Sequence, residues 1–411
     1  MTLADIDLAD PDRFLPGVPH DAFRLLRAEA PVFWHPETRG AGFWVISRYE
    51  DVVAVSKDPA TFSSARGGTN VFELSDEELA VVRTMMVNMD PPRHTKYRRL
   101  VNQGFTPRMV ARLEPHVRDV CRRIVDAVAA KGACDFVVEV AAELPLQVIV
   151  ELLGVPLTDR HKVFDWSNRL IGFDDPEFQT SMEDGKVAAS ELWAYANQLA
   201  LERRQHPRED LVSLLMQAEV DGERLTEMEF DSFFLLLSVA GNETTRNLMA
   251  GGMLALIEHP AERTRLLTDP SLLPRAVEEM LRWVSPVIHF RRTATRDTEL
   301  QGQTIRAGQK VVLFYPSANR DETVFSDPER FDVGRTPNEH LAFGIGEHFC
   351  LGASLARLEI RIMFEELLGR LPDMDLAGPA RRLRSNFING IKHMPVRFTP
   401  ERRASGAPVT G

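Results

Sequence analysis

Cysteine is scarce in this chain of 411 residues, and its scarcity excludes several kinds of site. The three cysteines are Cys121, Cys134 and Cys350. An odd number at wide spacing, with no Cys-x-x-Cys pair, argues against a disulfide framework, a zinc knuckle or an iron–sulfur cluster. Any special chemistry of cysteine therefore has to come from a single thiol in a particular local setting.

Long apolar runs are also lacking. The purest one, FFLLLSVA at residues 233–240, is far shorter than the ~20 residues that a membrane-spanning helix needs. The first twenty residues show no basic cluster followed by an apolar stretch, which is the pattern of a signal peptide. The sequence therefore predicts a soluble, cytoplasmic protein without a membrane anchor.

Positive charge is in deficit. The chain has 49 basic and 60 acidic residues, a formal net charge of −11. Because a polyanion is repelled by such a protein on average, nucleic acid is not an expected partner. No Gly/Ser-rich or Pro-rich linker divides the chain, so we expect one domain over residues 1–400, with a disordered tail at residues 401–411.

Helical periodicity dominates residues 95–281. Thr226 and Glu229 form a capping-box pattern, and the apolar periodicity that follows continues up to Pro260. This predicts one helix of roughly 33 residues, about 50 Å long. Alternation and turn residues at 293–315 predict short hairpins instead. The expected fold class is mainly α with small β-sheets.

Cys350 lies in a distinctive string. The order is F-G-x-G-x-H-x-C-x-G, formed with Phe343, Gly344, Gly346, His348 and Gly352. Glycines permit a tight loop close to a flat ligand, and a helix beginning after the cysteine stabilises a thiolate. The string resembles the haem-binding signature of cytochromes P450. This resemblance implies the single-domain P450 fold, a haem-iron ligand at Cys350 and haem contacts from the residues around it.

A second string lies in the middle of the long helix. Ala240, Gly241, Glu243 and Thr244 belong to A-G-N-E-T-T, which resembles the oxygen-binding segment of the same family. A mid-helix glycine leaves room beside the helix, and a hydroxyl there can disturb the hydrogen-bond ladder. A carboxylate next to a hydroxyl can relay protons. The resemblance implies a catalytic role for these four residues.

Haem carries two propionates, which need cations. His94 and Arg98 are four residues apart and share one helix face, in a pattern that resembles the family's H-x-x-x-R helix. By the same resemblance, Arg292 and His348 are expected to bind propionates. Glu347 departs from the pattern, because it adds an acid next to His348.

Glu279 and Arg282 match an E-x-x-R pattern, whose i,i+3 spacing puts both charges on one helix face. With the later D-P-E-R-F-D string it resembles the structural Glu-Arg-Arg triad of the family. We assign Arg330 as the third member, with Arg335 as the alternative.

The substrate pocket is expected to draw on the loop before His94, the long helix, the stretch after Pro286 and the C-terminal turn. Apolar and methionine-rich linings suit a flexible hydrocarbon. Residues 240–247 and 385–392 resemble actinobacterial hydroxylases of sterol side chains and methyl-branched lipids. The candidates are Phe72, Met86, Val87, Leu236, Val239, Val287, Ile288, Phe387 and Ile388.

The resemblance implies a monomeric monooxygenase with haem b that inserts one atom of dioxygen into a C–H bond of a steroid, branched fatty acid or terpenoid. Since the chain has no flavin, nicotinamide or iron–sulfur motif, electrons are expected from a ferredoxin and its NAD(P)H-dependent reductase. The alternatives are a hydrogen peroxide-driven peroxygenase, a non-catalytic P450-like haem-binding module and a haem gas sensor. The first would lack the acid–alcohol pair, the second could discard the cysteine, and the third needs an output domain.

Overall fold

Helices form most of the regular structure in the computed structural model, which describes residues 1–38, 40–172, 174–178, 182–220 and 222–401. The α-helices are α1 His20–Glu29, α2 Tyr49–Lys57, α3 Asp76–Val82, α4 Arg93–Asn102, α5 Pro107–Ala129, α6 Glu143–Leu153, α7 Arg160–Ile171, α8 Met182–Gln205, α9 Leu211–Gln217, α10 Glu227–Glu258, α11 Pro260–Thr268, α12 Leu273–Val284, α13 Tyr315–Ala318 and α14 Ala353–Arg370. Short 3-10 helices lie at Leu3–Asp5, Pro11–Phe14, Met86–Asn88, Gln103–Phe105, Leu157–Asp159, Pro270–Leu272 and Gly346–His348, and a π-helical turn at Val137–Ala141.

The strands are short. They are β1 Val32–His35, β2 Phe43–Ile46, β3 Phe62–Ser63, β4 Ala133–Asp135, β5 Glu219–Val220, β6 Glu223–Arg224, β7 His289–Ala294, β8 Thr298–Leu300, β9 Gln303–Ile305, β10 Lys310–Phe314, β11 Asp375–Leu376, β12 Arg381–Arg382, β13 Ile391–His393 and β14 Pro395–Arg397. The largest sheet has the order β1-β2-β10-β7-β3, in which β2 and β10 run parallel and the other neighbours antiparallel. The mainly helical fold with small sheets confirms the predicted class. Of the predicted tail, residues 402–411 lie outside the described part of the chain.

The long helix α10 follows from its caps and its apolar surface. The Glu229 amide donates to Thr226 Oγ1 at 3.3 Å, and the Thr226 amide donates to Glu229 Oε2 at 2.9 Å. The helix ends at Glu258, one residue before His259-Pro260, so the predicted length is confirmed. It is buried on nearly all sides, with α6, α7, α8 and α12 packed around it, which makes it the centre of the helical core.

The triad of buried charges corrects one of our assignments. Glu279 and Arg282 are fully buried and form the predicted pair, with Arg282 Nε 2.8 Å from Glu279 Oε2. The third member is Arg335, whose Nε lies 3.0 Å from the same oxygen. Arg330 is wrong as the third member: its side chain is 61% exposed and approaches Glu262 at 3.8 Å. Only its backbone carbonyl joins the cluster, accepting from Arg282 and Arg335.

Two elements bring the predicted haem residues together. Strand β7 lies between β10 and β3 in the largest sheet and carries Arg292. The loop that contains Cys350 leads into α14, which packs against α5 and α12. Among the helices of the described segments, none combines the length and the apolar character needed to cross a membrane.

Candidate active site

A cavity of about 240 Å³ separates α10 from the cysteine loop. One part of its wall consists of Ala240, Gly241 and Thr244 from α10. Another part consists of Phe343 and Cys350 with their loop neighbours. The structure thus brings the two strongest sequence motifs, which are about a hundred residues apart in the chain, to a single space.

The cysteine loop folds back on itself through its backbone. The Cys350 amide donates to the Phe343 carbonyl at 2.9 Å, and Gly344 and Gly346 adopt φ values of +68° and +76°. A side chain at Gly346 would also place its Cβ 2.8 Å from the Ser56 carbonyl oxygen. Residues with a Cβ are disfavoured at these positions, which explains both glycines of the motif. Gly346 packs against the backbone at Ser56 and does not line the cavity.

Burial raises the pKa of the Cys350 thiol, whereas the Gly352 amide, Arg98 and Arg357 act in the opposite direction and favour the thiolate. A thiol must lose its proton to bind a metal, so these groups prepare the sulfur as a ligand. Cys121 and Cys134 lie in the core, where burial raises the pKa of both thiols. These surroundings indicate a structural role for both.

Basic side chains gather at the same cavity. His94 and Arg98 from α4, Arg292 from β7 and His348 from the cysteine loop all belong to its lining. The His94 and His348 rings lie 4.3 Å apart, and burial together with Arg292 lowers the pKa of His348 to about 2. Arg292 is 4% exposed, and burial lowers its pKa. Within the described residues, neither Arg98 nor Arg292 forms an ion pair with a carboxylate.

These residues fit a haem. Buried guanidinium groups without a carboxylate need another anion, because an isolated buried charge is costly. Two propionates would supply it, beside a thiol at the wall of the same cavity. Both ring nitrogens of His94 are buried and lack a hydrogen-bond partner among the described residues, which is consistent with a missing acceptor. The basic cluster and Cys350 together therefore match the two propionates and the iron of a haem.

Glu347 lies at the edge of this cluster. Its Oε2 is 3.7 Å from His94 Nδ1, and its side chain is 40% exposed. Burial and Arg98 lower the pKa of His94, and Glu347 opposes them. Glu347, the acid that departs from the family pattern, therefore favours the protonated form of His94, which is one of the residues expected to bind a propionate.

Helix α10 continues unbroken past the cavity. Thr244 Oγ1 donates to the Ala240 carbonyl at 2.8 Å, so the hydroxyl shares a carbonyl with the helical ladder without interrupting it. Gly241 allows α6 to approach, since a Cβ there would lie 2.9 Å from Ile149 Cδ1. The expected disturbance of the ladder is limited to this shared carbonyl.

Glu243 is turned away from the cavity. Its side chain is 1% exposed and forms an ion pair with Arg246. Burial raises the pKa of the Glu243 carboxyl, and Arg246 opposes that effect. Adjacent residues of a helix point about 100° apart, which explains why Thr244 lines the cavity and Glu243 does not.

The substrate candidates divide into two groups. Four of them line the cavity, namely Met86, Val87, Leu236 and Val287. The other five, Phe72, Val239, Ile288, Phe387 and Ile388, lie outside this lining.

Packing explains the second group. Phe72 is 41% exposed on its loop. Ile288 and Ile388 face a separate depression beside Phe14, and Phe387 lies behind the lining residue Phe290, with 5.9 Å between ring centroids. Val239 is buried in the core that surrounds α10.

Sequence reasoning assigned no role to three polar lining residues, Thr245, Tyr315 and Glu359. Tyr315 is buried beside Arg292, and burial raises the pKa of its phenol. Glu359 on α14 is fully buried, and burial raises the pKa of its carboxyl to about 8. Glu359 lies four and three residues after the lining residues Leu355 and Ala356 and therefore shares their face of α14, and this helical spacing was the available signal. The sequence carried no comparable signal for Tyr315, because this residue directly follows β10, a strand whose residues are all buried.

Comparisons with known proteins agree with this geometry. The sequence profile described as "Cytochrome P450" matches residues 146–371. The steroid C26-monooxygenase of Rhodococcus jostii is 44% identical over 98% of this chain and 86% of its own length. The methyl-branched lipid omega-hydroxylase of Mycobacterium tuberculosis is 44% identical over 97% of this chain and 95% of its own. A Mycobacterium marinum cytochrome P450 solved with pseudoionone has a TM-score of 0.90 and 42% identity, covering 96% of this chain and 98% of that one.

Proposed function

The chain belongs to the cytochrome P450 family of monooxygenases, and from this membership we propose that it hydroxylates long, branched hydrocarbon substrates with haem b and an external ferredoxin. As a monooxygenase of hydrophobic molecules it uses haem iron and dioxygen. The observation that carries the proposal is the position of Cys350 in the wall of an apolar cavity that Thr244 also lines. The peroxygenase, binding-module and sensor alternatives have no comparable support.

The proposed roles follow from the cavity wall. Cys350 ligates the iron, and His94, Arg98, Arg292 and His348 hold the propionates. When bound, the haem supplies the reduction of dioxygen and the insertion of one oxygen atom into a C–H bond.

Thr244 is proposed to hold a proton at Oγ1 for this reaction. Its hydroxyl now donates to the Ala240 carbonyl, and rotation about χ1 redirects it towards the cavity. Glu243 is proposed as the acid that resupplies this proton.

The substrate proposal rests on the lining and on the relatives. Met86, Val87, Leu236 and Val287 give an apolar surface that binds a hydrocarbon through its area and cannot orient it through hydrogen bonds. Two similar proteins are named for a steroid position, C26, and for the omega position of a methyl-branched lipid. We therefore propose oxidation near the end of a branched aliphatic chain.

The redox partner is proposed to be a soluble ferredoxin with an NAD(P)H-dependent reductase, all acting in the cytoplasm. The support is the sequence itself, in which no flavin, nicotinamide or iron–sulfur motif occurs. Hydrogen peroxide alone should then give little product.

The test combines spectroscopy with product analysis. The reduced, carbon monoxide-bound protein should show the red-shifted band of a thiolate-ligated haem, and Cys350→Ser should lose it while Cys134→Ser keeps it. Branched fatty acids, sterols with an intact side chain and terpenoids should shift the iron from low to high spin, and turnover should place the hydroxyl at the chain end. A Cys350→Ser protein that keeps the band, or binding restricted to small polar aromatics, would overturn the proposal.

A further inference from the structure

Glu243 and Arg246 form a buried ion pair on α10. They are three residues apart, hence on one helix face, and their side chains are 1% and 4% exposed. An ion pair this deep is stable only if the remaining polar atoms find partners of their own. Glu243 Oε1 and Arg246 Nε have no hydrogen-bond partner among the described residues, so the pair is incompletely satisfied.

The other contacts of Arg246 belong to α7. Its Nη1 donates to Asn168 Oδ1 at 2.8 Å, and its guanidinium carbon lies 5.6 Å from the centroid of the Phe164 ring. Phe164 and Asn168 are four residues apart and share one face of α7, which packs directly against α10. Arg246 therefore connects α7 to Glu243, with one N–H group directed at each.

The charge on Glu243 depends on this one cation. Burial raises the pKa of the Glu243 carboxyl, and the opposing influence comes from Arg246. In the described parts of α6, α7, α8 and α12, which pack against α10, no other charged group shifts this pKa. Asn168 and the carboxylate bind different N–H groups of the same guanidinium, so the amide affects how closely Arg246 is held to Glu243.

We propose that Arg246 is a positioning residue for Glu243 and that it transmits the position of α7, through Asn168, to this acid. The inference rests on the proposed function, in which Glu243 resupplies the Thr244 hydroxyl with protons. A displacement of α7 removes the Asn168 oxygen and the Phe164 ring from Arg246 and leaves Glu243 as its sole partner. Proton delivery in the cavity is thereby coupled to a helix that does not line the cavity.

Two substitutions at Asn168 should act in opposite directions. Asn168→Asp adds a carboxylate that draws Arg246 away and repels Glu243, so Glu243 should stay protonated to a pH about one unit higher. Asn168→Leu has a similar volume but no acceptor, leaves Arg246 to Glu243, and should shift that titration to lower pH. A merely structural role of Asn168 would not produce shifts of opposite sign.

The measurement is the infrared band of the protonated carboxyl in the haem-loaded, substrate-free protein, followed against pH. The Glu243 band is assigned by its loss in Glu243→Gln. The pH profile of product formation should move in the same direction as the band in each variant. Ser167→Ala, at a buried position next to Asn168 on α7, is the matched control and should leave the band unchanged.

The outcomes separate the two proposals. Shifts of the same sign in both variants, or no shift, would overturn the coupling through Asn168. If the shifts occur but Glu243→Gln turns over normally, the coupling stands and the proton-supplying role of Glu243 is wrong. If Asn168→Asp does not retain haem, Phe164→Leu removes the other α7 contact of Arg246 and should shift the band in the same direction as Asn168→Leu.

Discussion

At the scale of single residues, the buried charged groups of the triad are paired with one another and with backbone carbonyls. Glu279 accepts from Arg282 and Arg335, and the spare N–H groups of Arg335 donate to the carbonyls of Ser326, Asp327 and Arg330. Because each donor has an acceptor, two guanidinium groups and a carboxylate are tolerated in the core. These interactions hold the loop after α13 against α12.

Removal of one cation from this set should be costly. Arg335→Ala leaves part of the Glu279 charge unpaired and removes the Arg335 donors from three carbonyls, so we expect a loss of ~3–5 kcal/mol in the free energy of unfolding. Arg330→Ala removes an exposed side chain and keeps the backbone carbonyl, so its effect should stay within about 0.5 kcal/mol. Urea denaturation of the two haem-loaded variants measures the difference, and equal losses would contradict the assignment of Arg335.

The sequence predicts pairs on helices better than partners in loops. Glu279 and Arg282 were predictable because the helical period fixes an i,i+3 geometry. Arg330 and Arg335 both lie in irregular chain, where distance along the sequence does not determine side-chain direction. The same limit applies to Phe72, which lies in a loop and is 41% exposed.

At the scale of elements, α10 combines two functions on different faces. Ala240, Gly241 and Thr244 line the cavity, while Glu243 and Arg246 face α7. The capping box and the apolar pattern predicted the length of this helix. They could not predict its faces, because a helix that is apolar all round carries no periodic signal for direction.

The position of Thr244 on the cavity face of α10 leads to a prediction about its hydroxyl group. Thr244→Ala removes the proton held at Oγ1 but keeps the helix, so haem and substrate should still bind. NADH consumption should continue while product per NADH falls about tenfold, which corresponds to ~1.4 kcal/mol in the partition between product and released hydrogen peroxide. The measurement compares NADH, product and peroxide, with a substrate that has no hydroxyl near the oxidised carbon.

Thr244→Ser is the matched control for this substitution. It keeps a hydroxyl that can donate to the Ala240 carbonyl, so coupling of NADH to product should remain close to that of the unaltered protein. Full coupling in Thr244→Ala would show that Thr244 serves only the structure of the helix.

At the scale of the whole molecule, the net charge of −11 conflicts with an acidic redox partner unless basic residues are concentrated locally. The candidates for such a surface are Arg98, Arg99, Arg108, Arg112 and Arg357. Two of them are engaged elsewhere: Arg98 is half-buried at the cavity, and Arg357 binds Glu278. Arg99, Arg108 and Arg112 are exposed on α4 and α5 and form no ion pair with a described residue.

These three arginines lead to a prediction about electron transfer. Attraction between charges is screened over ~8–10 Å at moderate ionic strength, so the rate of the first electron transfer from a ferredoxin should fall as salt rises. Arg112→Glu should slow this step at low salt and flatten its salt dependence. Arg204→Glu, at an exposed position on α8, changes the net charge equally. Helix α8 packs mainly against α7, α9 and α10, rather than against the helices that carry the three arginines, so this variant should have little effect on the rate of electron transfer. Stopped-flow measurement of the reduced, carbon monoxide-bound form gives the rate, and equal slowing by both substitutions would mean that net charge, not a local surface, governs the encounter.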